Sequence, residues 1–195
     1  MSDLRMPLFV GIPTPDGRAP VMTINALKDM ESLIGCKVMP LVAQGSSIVK
    51  NRNNILNTIR EIVGPDRFTV PMLWVDSDIF LEYESIPEVA KMVNEVFDVV
   101  DVDPLSVVAF SPNYNMSNGW SALSLHGGRH PKADELIHMD LLAYSGLGFL
   151  MLNMPVDYEF HSGPLGEDIY FFEEMPLNLK YWSGIKLWHQ KLMVV

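Results

Sequence analysis

Two patterns of apolar positions alternate along the first half of the chain. Short apolar runs predict four strands, at Pro7–Ile12, Cys36–Ala43, Pro71–Val75 and Ser106–Phe110. Between the strands, apolar residues spaced about one helical turn apart predict three helices. These residues are Ile24, Leu27, Met30 and Ile34, then Ile55, Ile59, Ile62 and Val63, then Val89, Met92, Val93, Val96 and Phe97. Strands that alternate with helices predict an α/β fold with a mostly parallel sheet covered on both faces.

The pattern is weaker in the second half of the chain. Residues 112–135 are rich in Asn, Ser, Gly and His, which predicts a long loop that serves as a lid or a binding loop. Alternating apolar positions from Ile137 to Ala143 favour a strand, although a helix over residues 133–144 fits as well. Further along, the pattern predicts a strand at Phe149–Asn153, a helix at Glu167–Glu174 and a last strand at Ile185–Trp188.

Composition narrows the class of protein. The chain has 195 residues, of which 48% are hydrophobic, which suits one large domain with a sizeable core. Its formal net charge of -10 disfavours general binding to nucleic acid phosphates. Cys36 is the only cysteine, so no disulfide can form within the chain and a reducing compartment is the simplest setting. Without a secretory signal or a membrane-spanning apolar run, we expect a cytoplasmic protein.

Candidate chemistry begins directly after the third predicted strand. Asp76 and Asp78 follow the apolar run Pro71–Val75, so both carboxylates can project from the edge of the sheet where ligands of α/β proteins bind. Carboxylate oxygens are preferred ligands of Mg²⁺ and Mn²⁺, and a bound cation could in turn hold a diphosphate. The alternative interpretation is an ordinary solvated turn.

Other polar residues fall near the same edge of the predicted sheet, and each allows two interpretations. Arg52, at the start of the second helix, could bind a phosphate or a nucleotide bidentately, or be an exposed arginine. Glu167 and Asp168 could supply a general base, or simply interact favourably with the dipole of their helix. His189 could be a further metal ligand or a structural histidine.

In chain order, these elements resemble glycosyltransferases of the GT-A fold, and most closely the inverting, family-2-like group. The segments that carry the resemblance extend over nearly the whole chain: Phe9–Thr14, Lys50–Asn53, Leu73–Phe80, Ser145–Leu152, Gly166–Phe172 and Trp188–His189. Phe9–Thr14 is similar to the nucleotide-contacting first strand, Lys50–Asn53 to the ARN element, and Leu73–Phe80 to the apolar strand with its DxD motif. Ser145–Leu152 is similar to the G-x-G-F-x-L segment, Gly166–Phe172 to the ED element with its aromatic tail, and Trp188–His189 to a late histidine. A compact chain of this kind resembles transferases encoded by viruses, including those of archaea.

The resemblance implies a single GT-A domain over residues 1–195, with a mixed, mostly parallel central sheet flanked by helices. Residues 1–111 would form the nucleotide-sugar-binding half and residues 112–195 the acceptor and catalytic half. The implied nucleotide-sugar-binding residues are Pro13, Thr14, Arg52, Asn53 and Asp76, and the implied ligands of Mn²⁺ or Mg²⁺ are Asp76, Asp78 and His189. Asp168 would be the catalytic base, with Glu167 as its competitor for that role.

The activity implied by the resemblance is metal-dependent transfer of a sugar from a nucleotide-diphosphate donor to a glycan or glycoprotein acceptor, with inversion. The setting would be the host cytoplasm if the protein is viral, with no nucleic acid partner and no membrane span. Two other interpretations stay open. One is a nucleotidyltransferase, although Gly11–Thr14 lacks the glycine-rich basic loop typical of that class. The other is a non-enzymatic viral or scaffold protein that retains the fold.

Overall fold

The computed structural model describes residues 5–102, 108–112, 123–133, 135–137, 142–164, 166–175 and 177–189. Its elements up to residue 111 are β1 (Leu8–Thr14), α1 (Val21–Asp29), α2 (Glu31–Ile34), β2 (Val38–Gln44), α3 (Ile48–Val63), β3 (Thr69–Val75), β4 (Ile79–Leu81), α4 (Ile86–Val102) and β5 (Val108–Ser111). The later elements are β6 (Leu123–Leu125), β7 (Leu136–Ile137), β8 (Leu142–Ser145), β9 (Phe149–Pro155), α5 (Glu167–Glu174), β10 (Asn178–Tyr181) and β11 (Leu187–His189).

Seven strands of the described part of the chain form the central sheet, in the order β2-β1-β3-β9-β5-β10-β7. Five of them run in one direction, whereas β9 and β7 run in the other. The protein is therefore α/β with a mixed, mostly parallel sheet, as predicted. Strand β9 lies between β3 and β5 and pairs with β3 over the full length of that strand, from Thr69 opposite Pro155 to Val75 opposite Phe149.

The core consists of two apolar layers on opposite faces of the sheet. Because successive side chains of a strand point to opposite faces, β1 and β3 contribute to both layers and are buried throughout. Leu73 and Val75 pack with the layer under α1 and α4, and Met72 and Trp74 pack with the layer under α3. No described helix is both long enough and apolar enough to cross a membrane.

Several sequence-based assignments need correction. The predicted loop at 112–135 is interrupted in its described part by β6, which pairs with β8, whereas residues 126–133 form no strand and no α-helix. Strand β10 was not predicted, since Asn178–Tyr181 alternates too briefly to stand out from its surroundings. The first helix is divided at Met30 into α1 and α2, and the apolar Ile62 of α3 is exposed. Parts of three predicted segments lie outside the described residues: 106–107 of the fourth strand, 113–122 and 134 of the long loop, and 138–141 of the segment from Ile137 to Ala143.

Candidate functional site

Asp76, Ser77 and Asp78 form the turn that connects β3 to β4. The backbone N–H of Asp76 donates to the carbonyl of Gly148 at 2.8 Å, and the backbone N–H of Ile79 donates to the carbonyl of Asp76 at 3.0 Å. These bonds fix the turn against the start of β9. The side chains of Asp76 and Asp78 are 31% and 35% exposed, so part of each reaches the surface at the carboxyl end of β3, although Asp76 is densely surrounded by protein.

The buried guanidinium of Arg52 lies behind Asp76. The Arg52 side chain is only 1% exposed, and its Nη2 donates to Oδ1 of Asp76 at 3.2 Å. The same guanidinium lies 3.9 Å from Oε1 of Glu167 and 4.0 Å from Oδ1 of Asp168. Arg52 therefore joins two acidic elements that the sequence treated as separate motifs. A role in nucleotide binding for Arg52 stays a prediction, but so deeply buried a guanidinium favours a different one.

Helix α3 positions Arg52 through polar residues on either side of it. The Asn51 amide donates to the carbonyls of Thr14 and Gly45, which ties α3 to the carboxyl ends of β1 and β2. The Asn53 amide accepts from the backbone N–H of Phe160 at 2.7 Å and donates to the carbonyl of the same residue at 3.0 Å. Both amide groups therefore serve the internal structure of the site.

The predicted contacts of the first strand with a nucleotide also need exposed atoms. Pro13 and Thr14 are buried at the end of β1, and the hydroxyl of Thr14 donates to the carboxylate of Asp16. Their role, and that of Asn53, in binding a nucleotide-sugar stays a prediction. The turn that follows β1, at residues 15–18, is exposed.

Glu167 and Asp168 occupy the first turn of α5. Phe171 and Phe172 anchor the helix in the core, so the acidic first turn is directed toward Arg52 and Asp76. The backbone N–H of Leu147 lies close enough to the Asp168 carboxylate to favour its ionised form and so to oppose the rise in its pKa. The segment before β9 therefore contacts both acidic elements, through Leu147 to Asp168 and through Gly148 to Asp76.

Burial dominates the electrostatics of these acids. Burial raises the pKa of Asp168 to about 7, against the opposing effect of Arg52, and the nearby Glu167 and Asp76 add to the rise. Burial also raises the pKa of Asp76, again opposed by Arg52, and the charges of Asp78 and Glu167 act in the same direction as burial. A carboxylate with a pKa near neutrality is able to accept and release a proton under ordinary conditions.

His189 reaches the site through a small second sheet. Strand β11 pairs antiparallel with β4, with His189 opposite Ile79 and Trp188 opposite Phe80. The pairing places Nε2 of His189 3.2 Å from Oδ2 of Asp78. The sequence suggested that these two residues share a function, and the pairing of strands far apart in the chain explains how they meet.

The three predicted metal ligands are near one another but do not form a ready-made cage. Within the described ranges, no group of three or more His, Cys, Asp or Glu side chains is arranged to hold a metal ion. The donor types nevertheless fit Mn²⁺ or Mg²⁺, because Asp76 and Asp78 offer oxygen and the imidazole of His189 suits Mn²⁺ better than Mg²⁺. Binding would require His189 to exchange its contact with Asp78 for one with the ion.

A cavity of about 260 Å³ opens beside Asp78, and sequence reasoning did not identify it. It lies between the segment before α1 and the turn after β3, and its lining includes Arg18, Val21, Met22, Asp78 and Phe80. The signal that could have found it is a basic residue, Arg18, just after the turn that ends β1. Two larger cavities, each of about 520 Å³, contain none of the candidate site residues.

Comparison with known proteins does not assign the chain to a group. No protein-family model matches it, and no curated protein matches it. The function must therefore be inferred from the geometry of the site itself.

Proposed function

We propose that this protein is a metal-dependent glycosyltransferase of the GT-A type that transfers a sugar from a nucleotide-diphosphate donor to an acceptor hydroxyl, with inversion. One observation carries the proposal: acids from the end of β3 and from the start of α5 meet around Arg52 at the carboxyl end of a mixed α/β sheet. His189 joins them through its contact with Asp78. This edge of the sheet is where α/β proteins commonly bind nucleotides.

Asp76, Asp78 and His189 would hold Mn²⁺ or Mg²⁺. When bound, the cation would neutralise negative charge on the nucleoside diphosphate that departs. The side chains of Asp76 and Asp78 together carry more negative charge than the single Arg52 balances, and this excess favours a bound cation. Arg18, on the wall of the cavity next to Asp78, would add an exposed positive charge for the diphosphate.

Asp168 is our candidate for the base that removes the proton from the acceptor hydroxyl. The proton would move to a carboxylate oxygen of Asp168 as the acceptor oxygen attacks the anomeric carbon from the face opposite the diphosphate. A pKa of about 7 supports this role, since a base works best when its pKa is close to the working pH. Glu167 is the competing candidate, and it lies at a similar distance from Arg52.

The proposal is tested by measuring thermal stability with a panel of nucleoside diphosphates, each with Mn²⁺ and with EDTA. We expect one nucleotide to raise the unfolding temperature only when Mn²⁺ is present, because the cation would connect Asp78 to the diphosphate. In the Asp78→Asn variant, most of this rise should disappear. The matched control is Asp66→Asn, an exposed acid at the opposite end of β3, which should keep the full rise.

Two results would contradict the proposal. If no nucleotide stabilises the wild-type protein with Mn²⁺, the non-enzymatic alternative is favoured. If Asp78→Asn keeps the nucleotide effect, the metal role of Asp78 is wrong. A nucleotide that raises the unfolding temperature only with Mn²⁺ is then replaced by the corresponding nucleotide-sugar. Release of the nucleoside diphosphate is measured to detect hydrolysis or transfer.

A further inference from the structure

Arg52 is a charged group in an almost fully enclosed position. Burying an arginine is costly unless carboxylates compensate its charge, because the guanidinium loses its hydration. In this protein the compensation comes from two separate elements, Asp76 at the end of β3 and the pair Glu167 and Asp168 at the start of α5. Arg52 therefore contributes to the relative position of those two elements.

Aromatic rings fix the orientation of the guanidinium. Its central carbon lies 5.0 Å from the ring centre of Trp74 and 5.6 Å from that of Phe160. The two rings also contact each other edge to face, with their centres 5.5 Å apart. Asn53 holds the backbone of Phe160 from the next position of α3. A guanidinium held in this way has little freedom to swing out toward a bound ligand.

Two of the three nitrogens of the Arg52 guanidinium, Nη2 and Nε, lie near acids. Only Nη2 makes a hydrogen bond, to Asp76, whereas Nε and Nη1 have no hydrogen-bond partner among the described residues. Glu167 lies 3.9 Å from Nε, and Asp168 lies 4.0 Å from Nη2. Both distances are within the range of an ion pair and slightly beyond that of a hydrogen bond. The contacts of Arg52 with the acids at the start of α5 are therefore ion pairs.

We propose that Arg52 is a positioning residue, which holds the base-bearing start of α5 at a fixed distance from Asp76 and makes no contact with the donor. This inference rests on the proposed function for its catalytic meaning. Its structural content, a charge-mediated coupling between Arg52 and Asp168, does not depend on that function. The charge of Arg52 also opposes the effect of burial on the pKa of Asp168, which favours the ionised form that a base needs.

The catalytic part is tested with Arg52→Met and Arg52→Lys, using the nucleotide-sugar whose diphosphate passes the stability screen. We expect Arg52→Met to lower kcat by about 100-fold, the scale of losing a working general base, and to weaken binding of the Mn²⁺–nucleotide by about 10-fold at most, because Asp76 loses its hydrogen-bond partner. Its pH–rate profile should move to higher pH. Arg52→Lys, which keeps the charge, should recover part of kcat and return the profile toward that of the wild type.

The matched control is Arg60→Met. Arg60 lies two turns further along α3 and donates to the backbone carbonyls of Val156 and Tyr158, away from the acids. We expect it to lower stability without moving the pH–rate profile. If Arg52→Met weakens nucleotide binding as strongly as it lowers kcat, Arg52 contacts the donor and the proposal is wrong. It is equally wrong if Arg60→Met reproduces the kinetic changes of Arg52→Met.

The structural part is tested without any ligand, by urea unfolding of Arg52→Met, Asp168→Asn and the double variant at pH 8, where Asp168 of the wild type is ionised. We expect the change in midpoint of the double variant to differ from the sum of the two single changes, because Asp168→Asn removes an acid that Arg52→Met leaves uncompensated. Additive changes would overturn the coupling. This result is obtained even if no nucleotide binds, so failure of the proposed function and failure of this inference can be distinguished.

Discussion

Asp168 shows how burial gives one residue a measurable pH signature. In the unfolded chain its pKa returns from about 7 to the ordinary value of 3.8. Between these two pH values the folded protein holds a proton that the unfolded chain releases. The contribution of Asp168 to stability therefore falls as pH rises from about 4 to about 7, and its ionised form remains costly above that range.

We therefore predict that Asp168→Asn raises the free energy of unfolding at pH 8 relative to the wild type, by about 1 kcal/mol or more, since each unit of pKa shift corresponds to about 1.4 kcal/mol. At pH 4 the gain should be small or absent. Urea unfolding at both pH values, in EDTA, measures the difference. The exposed acid Asp157 provides the control, because the effect of Asp157→Asn on the free energy of unfolding should differ little between pH 4 and pH 8. A larger gain at pH 4 than at pH 8 would contradict the assignment.

The identities of the acidic residues were predictable, but their shared counter-ion was not. Asp76, Asp78 and the pair Glu167 and Asp168 stood out by their positions after a strand and at a helix start. Nothing local to Arg52 in the sequence indicates that it is buried, since its surroundings in α3 are polar. Its burial arises from Trp74 on β3 and from Phe160, which lies 108 positions later in the numbering.

At the scale of single elements, α3 is the helix on which the site depends most. Its first turn begins at Ser47, whose hydroxyl accepts from the backbone N–H of Lys50 at 3.3 Å. We predict that Ser47→Ala lowers the free energy of unfolding by about 1 kcal/mol, the usual loss for an N-cap serine. Ser46→Ala is the matched control, because Ser46 is a neighbouring exposed serine that does not cap the helix, and its effect should stay within about 0.5 kcal/mol. Equal losses would mean that Ser47 is not the effective cap.

Elements with strong local periodicity were predicted well, and elements defined by long-range pairing were not. The buried strands β1 and β3 and the helix α5 follow from apolar runs and from a helix-start signal. The predicted last strand at Ile185–Trp188 overlaps β11, whereas β4 was not predicted, and the pairing of β4 with β11 joins positions more than 100 residues apart. The contact of His189 with Asp78 depends on that pairing. The position of His189 relative to Asp78 could therefore be known only from the structure.

Considered as a whole, the molecule carries a net charge of -10, so we expect NaCl to stabilise it to some degree by screening repulsion among its acids. The proposed cation site at Asp76 and Asp78 leads to a further prediction. Millimolar Mn²⁺ alone should raise the unfolding temperature by about 3 °C or more beyond the rise given by NaCl at equal ionic strength. General screening would act equally on two variants that carry the same net charge. The Asp76→Asn/Asp78→Asn variant should therefore lose the additional rise, and Asp66→Asn/Asp157→Asn should retain it. If both double variants respond to Mn²⁺ as they respond to NaCl, and the wild type does too, the cation acts only through the overall charge.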